Sequence, residues 1–206
     1  MNSRFGLPLL LDGDWVSALV VGGGHLALRK ANGLLQGGAS VRVLARELHP
    51  QLVELAARSP RLTLERGDYS SSAIADAILV VAATNDAQVN STIAADARAR
   101  GRLVMVADAP DAGNCVTPAV HRVGSLVIAI GTGGVPGAAA RIRDEIAEQF
   151  DDRYAAAIAD LTQLRGRLLT ASGRARWRVA ADALIGEDFC DSVEEGNFAE
   201  RIASWR

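Results

Sequence analysis

Apolar and polar positions follow a strand-then-helix order through the first half of the chain. Residues Trp15 to Val21 form a β-rich apolar run that ends in three glycines, and apolar residues then recur at helical spacing from Ala27 to Leu35. The further predicted strands are Val41–Leu44, Leu62–Glu65, Ile78–Ala83 and Leu103–Val106, and the further predicted helices are Pro50–Arg58 and Asp86–Arg100. This alternation predicts an α/β fold with a Rossmann-like parallel sheet over residues 1–112.

The pattern changes after residue 112. Two strands, Cys115–Val120 and Leu126–Ile130, are predicted to be joined by a short turn around Arg122 and Gly124. From Ala138 onward the chain has helical spacing to its end, and glycines predict breaks at positions 166, 173 and near 186. The sequence therefore predicts a small mixed α/β segment over residues 113–150 and a C-terminal helical domain over residues 151–206.

Composition and charge exclude several classes of protein. The chain has 206 residues, 49% apolar content and a formal net charge of −2, which suits a folded globular protein and gives no overall basic field for nucleic acid or an anionic membrane. The uncharged stretch 123–140 contains five glycines and a proline, so a membrane-spanning helix is not expected there. The apolar run Leu7–Leu11 is too short for a signal-peptide core. We expect a cytoplasmic protein without a nucleic-acid or membrane partner.

A glycine turn follows the first predicted strand. Gly22-x-Gly24-x-x-Ala27 is the G-x-G-x-x-A form of the dinucleotide fingerprint, and it lies between a strand and a helix, as that motif requires. The first glycine permits the tight turn, the second allows close approach of a pyrophosphate, and the helix N-terminus offers N–H groups to the phosphate charge. The predicted cofactor-binding residues of this turn are Gly22, Gly23, Gly24, His25 and Leu26. The alternative is a tight strand-to-helix turn without a ligand.

Two further positions are candidates for contact with the dinucleotide. Glu47 lies where an acidic residue would bind the ribose 2′-hydroxyl of NAD, whereas its neighbour Arg46 would suit the 2′-phosphate of NADP. Thr84 and Asn85 follow the fourth predicted strand at the edge where open α/β sheets bind ligands. Asn85 or Asp86 would equally serve as a helix N-cap.

The composition also narrows the enzyme class. The tyrosines are Tyr69 and Tyr154 and the only lysine is Lys30, so the Tyr-x-x-x-Lys pair of short-chain dehydrogenases is missing. The cysteines and histidines are scattered and lack metal-ligand spacing, so we expect no metal site. Asp108 is the remaining candidate acid or base at the sheet edge, and Pro110 helps to fix its loop. The alternative for Asp108 is a turn-capping role.

An ordered set of motifs carries a resemblance to a known family. The chain resembles the dehydrogenase and ferrochelatase module of siroheme synthases, and we expect the stand-alone form of that module. The motifs that carry the resemblance are Val20 to Lys30, Val81 to Asn90, Asp108 to Pro110, Pro118-Ala119 and Ile128 to Gly134.

The resemblance implies an activity and an assembly. It implies NAD-dependent dehydrogenation of the tetrapyrrole precorrin-2 to sirohydrochlorin, with Asp108 as the catalytic proton acceptor. Insertion of Fe²⁺ to give siroheme is implied for bifunctional members. It also implies a homodimer, formed through the central segment, with the active cleft near the subunit boundary. The segment expected to bind substrate includes Thr132, Gly133, Gly134, His121 and Arg143, although a surface loop is the alternative for His121.

Two other functions stay open, and departures from the family pattern motivate the second of them. Gly131 stands where the family has serine, and Pro136 is followed by an apparent one-residue deletion. Met105 and Cys115 replace a usual asparagine and a usual aromatic residue. The alternatives are a regulatory NAD-binding module, which needs no catalytic carboxylate, and a family member that binds tetrapyrrole or metal without turnover.

A basic segment lies in the predicted helical domain. Five arginines and no acidic residue occur between Leu161 and Arg178, at positions Arg165, Arg167, Arg174, Arg176 and Arg178. Guanidinium groups suit bidentate contacts with the carboxylates of a tetrapyrrole. The alternatives are a solvated helix surface and a patch that binds RNA.

Overall fold

The computed structural model describes residues 5–171 and 173–205 and divides the chain into two compact units. The first unit is Met1–Thr117 and the second is Pro118–Arg206. Residues 113–117 therefore group with the first unit. The division into three parts at residues 112 and 150 remains a prediction.

The first unit is a doubly wound α/β domain. Its five strands form one parallel sheet in the order β3-β2-β1-β4-β5. The strands are β1 Ser17–Val21, β2 Ser40–Ala45, β3 Leu62–Arg66, β4 Leu79–Ala82 and β5 Leu103–Val106. The helices are α1 His25–Gln36, α2 Pro50–Arg58 and α3 Ala87–Ala99, and short 3-10 turns cover Gly13–Trp15, Ser71–Ile74 and Pro110–Ala112. The predicted Rossmann-like fold is confirmed.

Helices cover both faces of this sheet, which explains the continuous apolar strands. Val20 and Val81 on one face pack in a core with Ala27 of α1 and Leu52 of α2. On the other face, α3 packs in a second core through its apolar side chains, among them Ile93. β4 is buried throughout, because helices cover both faces of the sheet, and its sequence therefore shows no alternation of apolar and polar residues.

The strand order creates a ligand-binding position. The chain leaves β1 towards β2 on one side, whereas β4 lies on the other side of β1, with Val21 opposite Ala82. Such a reversal opens a crevice at the carboxyl ends of the two strands, where open α/β sheets bind ligands.

The second unit is a hairpin followed by helices. The antiparallel strands β6 Ala119–Val123 and β7 Leu126–Ile130 pair with Ala119 opposite Ile130. A helical core follows in which the buried side chains include Tyr154, Leu164, Leu184 and Ile202. The helices are α4 Pro136–Gln149, α5 Asp152–Ala171, α6 Gly173–Leu184, α7 Phe189–Glu194 and α8 Phe198–Ala203.

Two sequence predictions for this region are wrong. The strand predicted at Cys115–Val120 occurs at residues 119–123, because Cys115 donates its backbone N–H to Val104 beside β5 and Pro118 has no N–H for a ladder. Arg122 consequently lies in β6, and the turn is at Gly124, which has φ +53°.

The break predicted at Gly166 is absent, since α5 runs through it. Leu164 and Leu168 are buried one turn apart on either side, and their burial outweighs the cost of about 1 kcal/mol for a glycine inside a helix. The predicted breaks at 173 and near 186 agree with the start of α6 and with the gap between α6 and α7.

Candidate functional site

The glycine turn after β1 is built by close backbone neighbours. Gly22 has φ +125°, and a Cβ there would lie 2.2 Å from the carbonyl oxygen of Ala83. A Cβ on Gly23 would lie 1.8 Å from the carbonyl oxygen of Glu47. Glycine is therefore required at both positions by the fold itself, whatever binds to the turn.

Gly24 differs because it faces open space. It is the N-cap of α1, its backbone is extended, and among the described residues no heavy atom would lie within 4 Å of a Cβ there. No described side chain caps this helix end, so the first-turn N–H groups and the positive end of the helix dipole face outward. Ala27 is fully buried and lets α1 pack closely on the sheet. These features fit a pyrophosphate group.

Two histidines lie beside the turn. The rings of His25 and His49 have centroids 4.1 Å apart, at an interplanar angle of 53°. His49 Nδ1 accepts a hydrogen bond of 3.2 Å from the backbone N–H of Gln51 and so caps α2, and the backbone N–H of His49 donates to the carbonyl oxygen of Gly23 at 2.8 Å. His25 is exposed, whereas Leu26 is half-buried against the core. Sequence reasoning missed His49, for which the only signal was its place before Pro50.

Arg46 and Glu47 lie at the carboxyl end of β2, and both are exposed. The Arg46 guanidinium donates through Nε to Asp68 Oδ1, and this hydrogen bond and the charge of Asp68 raise the pKa of Arg46. The two side chains are 81% and 70% exposed, so the pair is weak and open to water. Which of the two residues contacts the ribose, and hence the choice between NAD and NADP, remains a prediction.

The loop after β4 is fixed by side-chain caps. Asp86 is the N-cap of α3: its Oδ1 accepts from the N–H groups of Gln88 at 2.8 Å and Val89 at 3.1 Å. Of the two capping candidates, Asp86 performs this role and Asn85 is exposed. The Thr84 hydroxyl accepts from the N–H of Asp86 at 3.2 Å.

Asn90 connects this loop to Asp108. Its side chain is 1% exposed, and its Nδ2 donates to the carbonyl oxygen of Thr84 at 3.1 Å and to Asp108 Oδ1 at 3.3 Å. Asp108 follows β5, is exposed and lies at the same carboxyl edge as Thr84. The structure therefore brings Thr84 and Asp108 together through a residue that sequence reasoning did not assign to the site. The sequence signal for Asn90 was that a polar residue shares the buried face of α3 with Ile93, Ala94 and Ala97.

The lysine lies behind the turn, on α1. Lys30 Nζ donates to Thr117 Oγ1 at 2.7 Å. Burial and the neighbouring charge of Arg29 lower the pKa of Lys30. Burial raises the pKa of the Cys115 thiol to about 11, although the charge of Lys30 opposes this shift. This cluster holds residues 115–117 against α1 and has no sign of a reactive thiolate.

The predicted substrate-binding residues all lie in the second unit. His121 Nε2 is 2.6 Å from the carbonyl oxygen of Phe150, and Thr132 Oγ1 donates to the carbonyl oxygen of Val135 at 2.6 Å. Gly133 and Gly134 have φ of +62° and +111°. Arg143 Nε donates to Asp144 Oδ1 at 2.9 Å. Their role in substrate binding remains a prediction, as does that of the five arginines of α5 and α6, which are exposed.

The described part of the chain has neither a candidate metal centre nor a candidate membrane span. Within residues 5–171 and 173–205, no group of three or more His, Cys, Asp or Glu side chains is placed to hold a metal ion. In the same ranges, no helix has both the length and the apolar character needed to cross a membrane.

Comparison with known proteins gives the family. Residues 9–119, which contain the glycine turn and Asp108, match the family described as putative NAD(P)-binding. This chain belongs to that family. Its membership confirms the class of cofactor that the glycine turn predicts.

Curated relatives of this family member are siroheme synthases. That of Chromobacterium violaceum is 44% identical over 199 residues, and that of Nitrosococcus oceani is 33% identical over 200 residues. Each alignment covers 95% of this chain but 40% of the relative, so the chain spans about two fifths of the length of these proteins. The resemblance to siroheme synthases predicted from the motifs is confirmed.

A solved structure is similar over nearly the whole chain. The structure of SirC, a precorrin-2 dehydrogenase, matches with a TM-score of 0.75 and 27% sequence identity. The match covers 96% of this chain and 99% of that one. The similarity therefore extends beyond the dinucleotide-binding domain.

Proposed function

We propose that this protein oxidises precorrin-2 to sirohydrochlorin with NAD as the hydride acceptor. The observation that carries the proposal is the placement of the Asp108 carboxylate beside Thr84, at the sheet edge that also bears the glycine turn. The similarity to a precorrin-2 dehydrogenase and to siroheme synthases supports the same substrate. A regulatory NAD-binding module would have no use for a carboxylate held at this point.

Different residues of the first unit have separate roles in the proposed reaction. Oxidation of this kind removes a hydride and a proton from the substrate. Bound NAD supplies the hydride acceptor, and Asp108 accepts the proton. The N–H groups at the start of α1, exposed beyond Gly24, would hold the pyrophosphate. Thr84 and Asn85 would border the cofactor at the end of β4.

We propose NAD rather than NADP. Glu47 is exposed at the end of β2, where a carboxylate accepts hydrogen bonds from the ribose hydroxyls. The guanidinium of Arg46 is engaged with Asp68, which supports a role outside the binding of a 2′-phosphate. Comparison of the dissociation constants of NAD and NADP for the wild type and for Glu47→Gln tests this choice.

We also propose a homodimer that forms through the hairpin of β6 and β7. Val127, Ile128 and Ile130 of β7 are only partly buried in a single chain, and a two-stranded hairpin needs its apolar surface covered to be stable. The proposed substrate-binding residues of the second unit are Thr132, Gly133, Gly134, His121 and Arg143. Fe²⁺ insertion and a cytoplasmic location remain predictions.

A coupled assay tests the proposed activity. Wild-type protein mixed with precorrin-2 and NAD is expected to form NADH, and Asp108→Ala is expected to abolish this while NAD affinity stays nearly unchanged, since the substitution removes a proton acceptor and not a phosphate contact. Asp111→Asn, an exposed aspartate in the same loop, is the matched control and should retain turnover. Tight NAD binding without NADH formation by the wild type would favour the regulatory module instead.

A further inference from the structure

We infer that Asn90 is a positioning residue that ties the Asp108 carboxylate to the loop after β4 and so sets its orientation for proton transfer. The inference rests on the proposed function, because it assigns Asn90 a part in the same reaction. Asn90 belongs to α3 and touches both Thr84 and Asp108, which lie at the ends of neighbouring strands.

The hydrogen bonds of Asn90 use its whole amide. Oδ1 accepts from the backbone N–H of Thr84 at 3.1 Å and from the Thr84 hydroxyl at 2.7 Å. Nδ2 donates to the carbonyl oxygen of Thr84 at 3.1 Å and to Asp108 Oδ1 at 3.3 Å. An asparagine amide has two donors and two acceptor lone pairs, so every position is filled.

This arrangement admits only one orientation of the amide. If the amide were rotated by half a turn, its NH₂ group would face the N–H of Thr84, and its oxygen would face the carbonyl oxygen of Thr84 and the carboxylate of Asp108. Each of these contacts would join two donors or two acceptors. Thr84 therefore fixes which end of the Asn90 amide faces Asp108, and that end is the donor.

The burial of Asn90 indicates that this position is polar for the sake of its hydrogen bonds. Asn90 is 1% exposed and lies on the face of α3 that carries Ile93, Ala94 and Ala97 into the core. A buried polar side chain is costly unless all its hydrogen bonds are made, and an apolar residue would continue this face of the helix without that cost.

The Asn90 side chain therefore connects the loop after β4 with the loop after β5. Any displacement of the loop at Thr84 is transmitted to Asp108 through one rigid amide rather than through the backbone between the strands. Asp108 itself is exposed and has freedom to rotate, so a fixed partner for Oδ1 reduces the number of orientations in which the carboxylate faces solvent away from the crevice.

An isosteric pair of variants tests this role. Asn90→Asp keeps an acceptor towards Thr84 but replaces the donor that faces Asp108. The control is Asn114→Asp: Asn114 also ties backbone segments, donating to the carbonyl oxygen of Arg102 at 2.9 Å and accepting from the N–H of Val104 at 2.7 Å, and it has no part in the proposed chemistry. Asn90→Asp is expected to lower kcat by about 10- to 100-fold with a much smaller change in KM for NAD, as expected for loss of a hydrogen bond to a charged group. Asn114→Asp is expected to keep kcat within about threefold of the wild type.

A spectroscopic measurement without turnover keeps the test valid if Asn90→Asp folds poorly. Asp108→Ala changes an exposed residue and leaves Asn90 intact. In ¹H–¹⁵N spectra, the side-chain amide signals of Asn90 are expected to shift in Asp108→Ala, while those of Asn114 stay in place. Unshifted Asn90 signals would overturn the inference.

The outcomes separate this inference from the proposed function. A wild-type protein that makes no NADH refutes the proposed function, whereas the amide signals still decide whether Asn90 is bound to Asp108. An active wild type whose Asn90→Asp variant keeps its kcat refutes the positioning role. Equal loss of kcat in the Asn90 and Asn114 variants would also refute it, because the effect would then be one of general stability.

Discussion

Three adjacent glycines have different physical roles in the glycine turn. Gly22 and Gly23 are glycines because neighbouring carbonyl oxygens occupy the space of a Cβ. Gly24 has open space there and an extended backbone that any residue adopts. At Gly24 no neighbouring described atom excludes a side chain, so substitution at this position disturbs the fold less than substitution at Gly22 or Gly23 and separates binding from folding.

Gly24→Val is expected to weaken NAD binding at least tenfold, which corresponds to about 1.4 kcal/mol, because the side chain fills the approach to the first-turn N–H groups. Folding should be nearly retained, with a loss of about 1 kcal/mol for the poorer N-cap. Titration calorimetry with NAD and thermal unfolding measure the two effects. Gly33→Ala, on the exposed side of the same helix, is the control and should bind NAD as the wild type does. Equal affinity in Gly24→Val would contradict the assignment of the turn.

At the scale of elements, three helices of the second unit, α4, α5 and α7, are joined by hydrogen bonds at Glu194. Glu194 of α7 accepts hydrogen bonds through Oε1 from Gln149 of α4 at 3.1 Å and from the Tyr154 hydroxyl of α5 at 2.9 Å. Arg153 of α5 also donates to the backbone carbonyl of Glu194. The hydrogen bonds from Gln149 and then Tyr154 lower the pKa of Glu194. The charged form of Glu194 is therefore stabilised more in the folded protein than in the unfolded chain.

This shift predicts a loss of stability in acid. Because the pKa of Glu194 is lower in the folded protein, its contribution is complete above the unfolded value of about 4.5 and disappears as the pH falls through the folded pKa. The hydrogen bond from Arg153 acts in the same direction by lowering the pKa of Asp151. Urea unfolding between about pH 7 and pH 3, roughly the range in which carboxylates titrate, is expected to show a weaker acid dependence in Glu194→Gln. An identical dependence in both proteins would contradict the role of Glu194.

At the scale of the whole molecule, charge is distributed unevenly. The chain is net −2, yet the segment from Leu161 to Arg178 holds five arginines and no acidic residue, and all five are exposed on α5 and α6. A polycarboxylate substrate would be attracted to such a region, and attraction of this kind raises the association rate more than the rate of the chemical step.

The paired substitution Arg165→Gln with Arg178→Gln is expected to lower kcat/KM for precorrin-2 by up to about tenfold at low ionic strength, with kcat unchanged. The difference should disappear in high salt, since screening removes the attraction. Arg58→Gln with Arg98→Gln, two exposed arginines of the first unit, is the matched control. A kcat/KM that is the same in both paired variants at low salt would indicate a solvated surface without a role in substrate capture.

The sequence by itself determined the sheet and the glycine turn of this protein. Strands that are buried on both faces must be apolar throughout, and a turn closed by neighbouring carbonyl oxygens must be glycine, so both leave a local pattern in the chain. The errors came where packing between distant residues decided the outcome, as at Gly166, where two buried leucines keep the helix continuous.

Only the tertiary structure decided how the site is held. The tie between Asn90 and Asp108 joins residues 18 positions apart on different elements, and the ring contact of His25 with His49 joins two helix starts. Neither has a sequence spacing of its own, because each depends on which strands lie side by side. The sequence marked Asp108 as the candidate base, whereas the fold supplied the buried amide that gives its carboxylate a fixed partner.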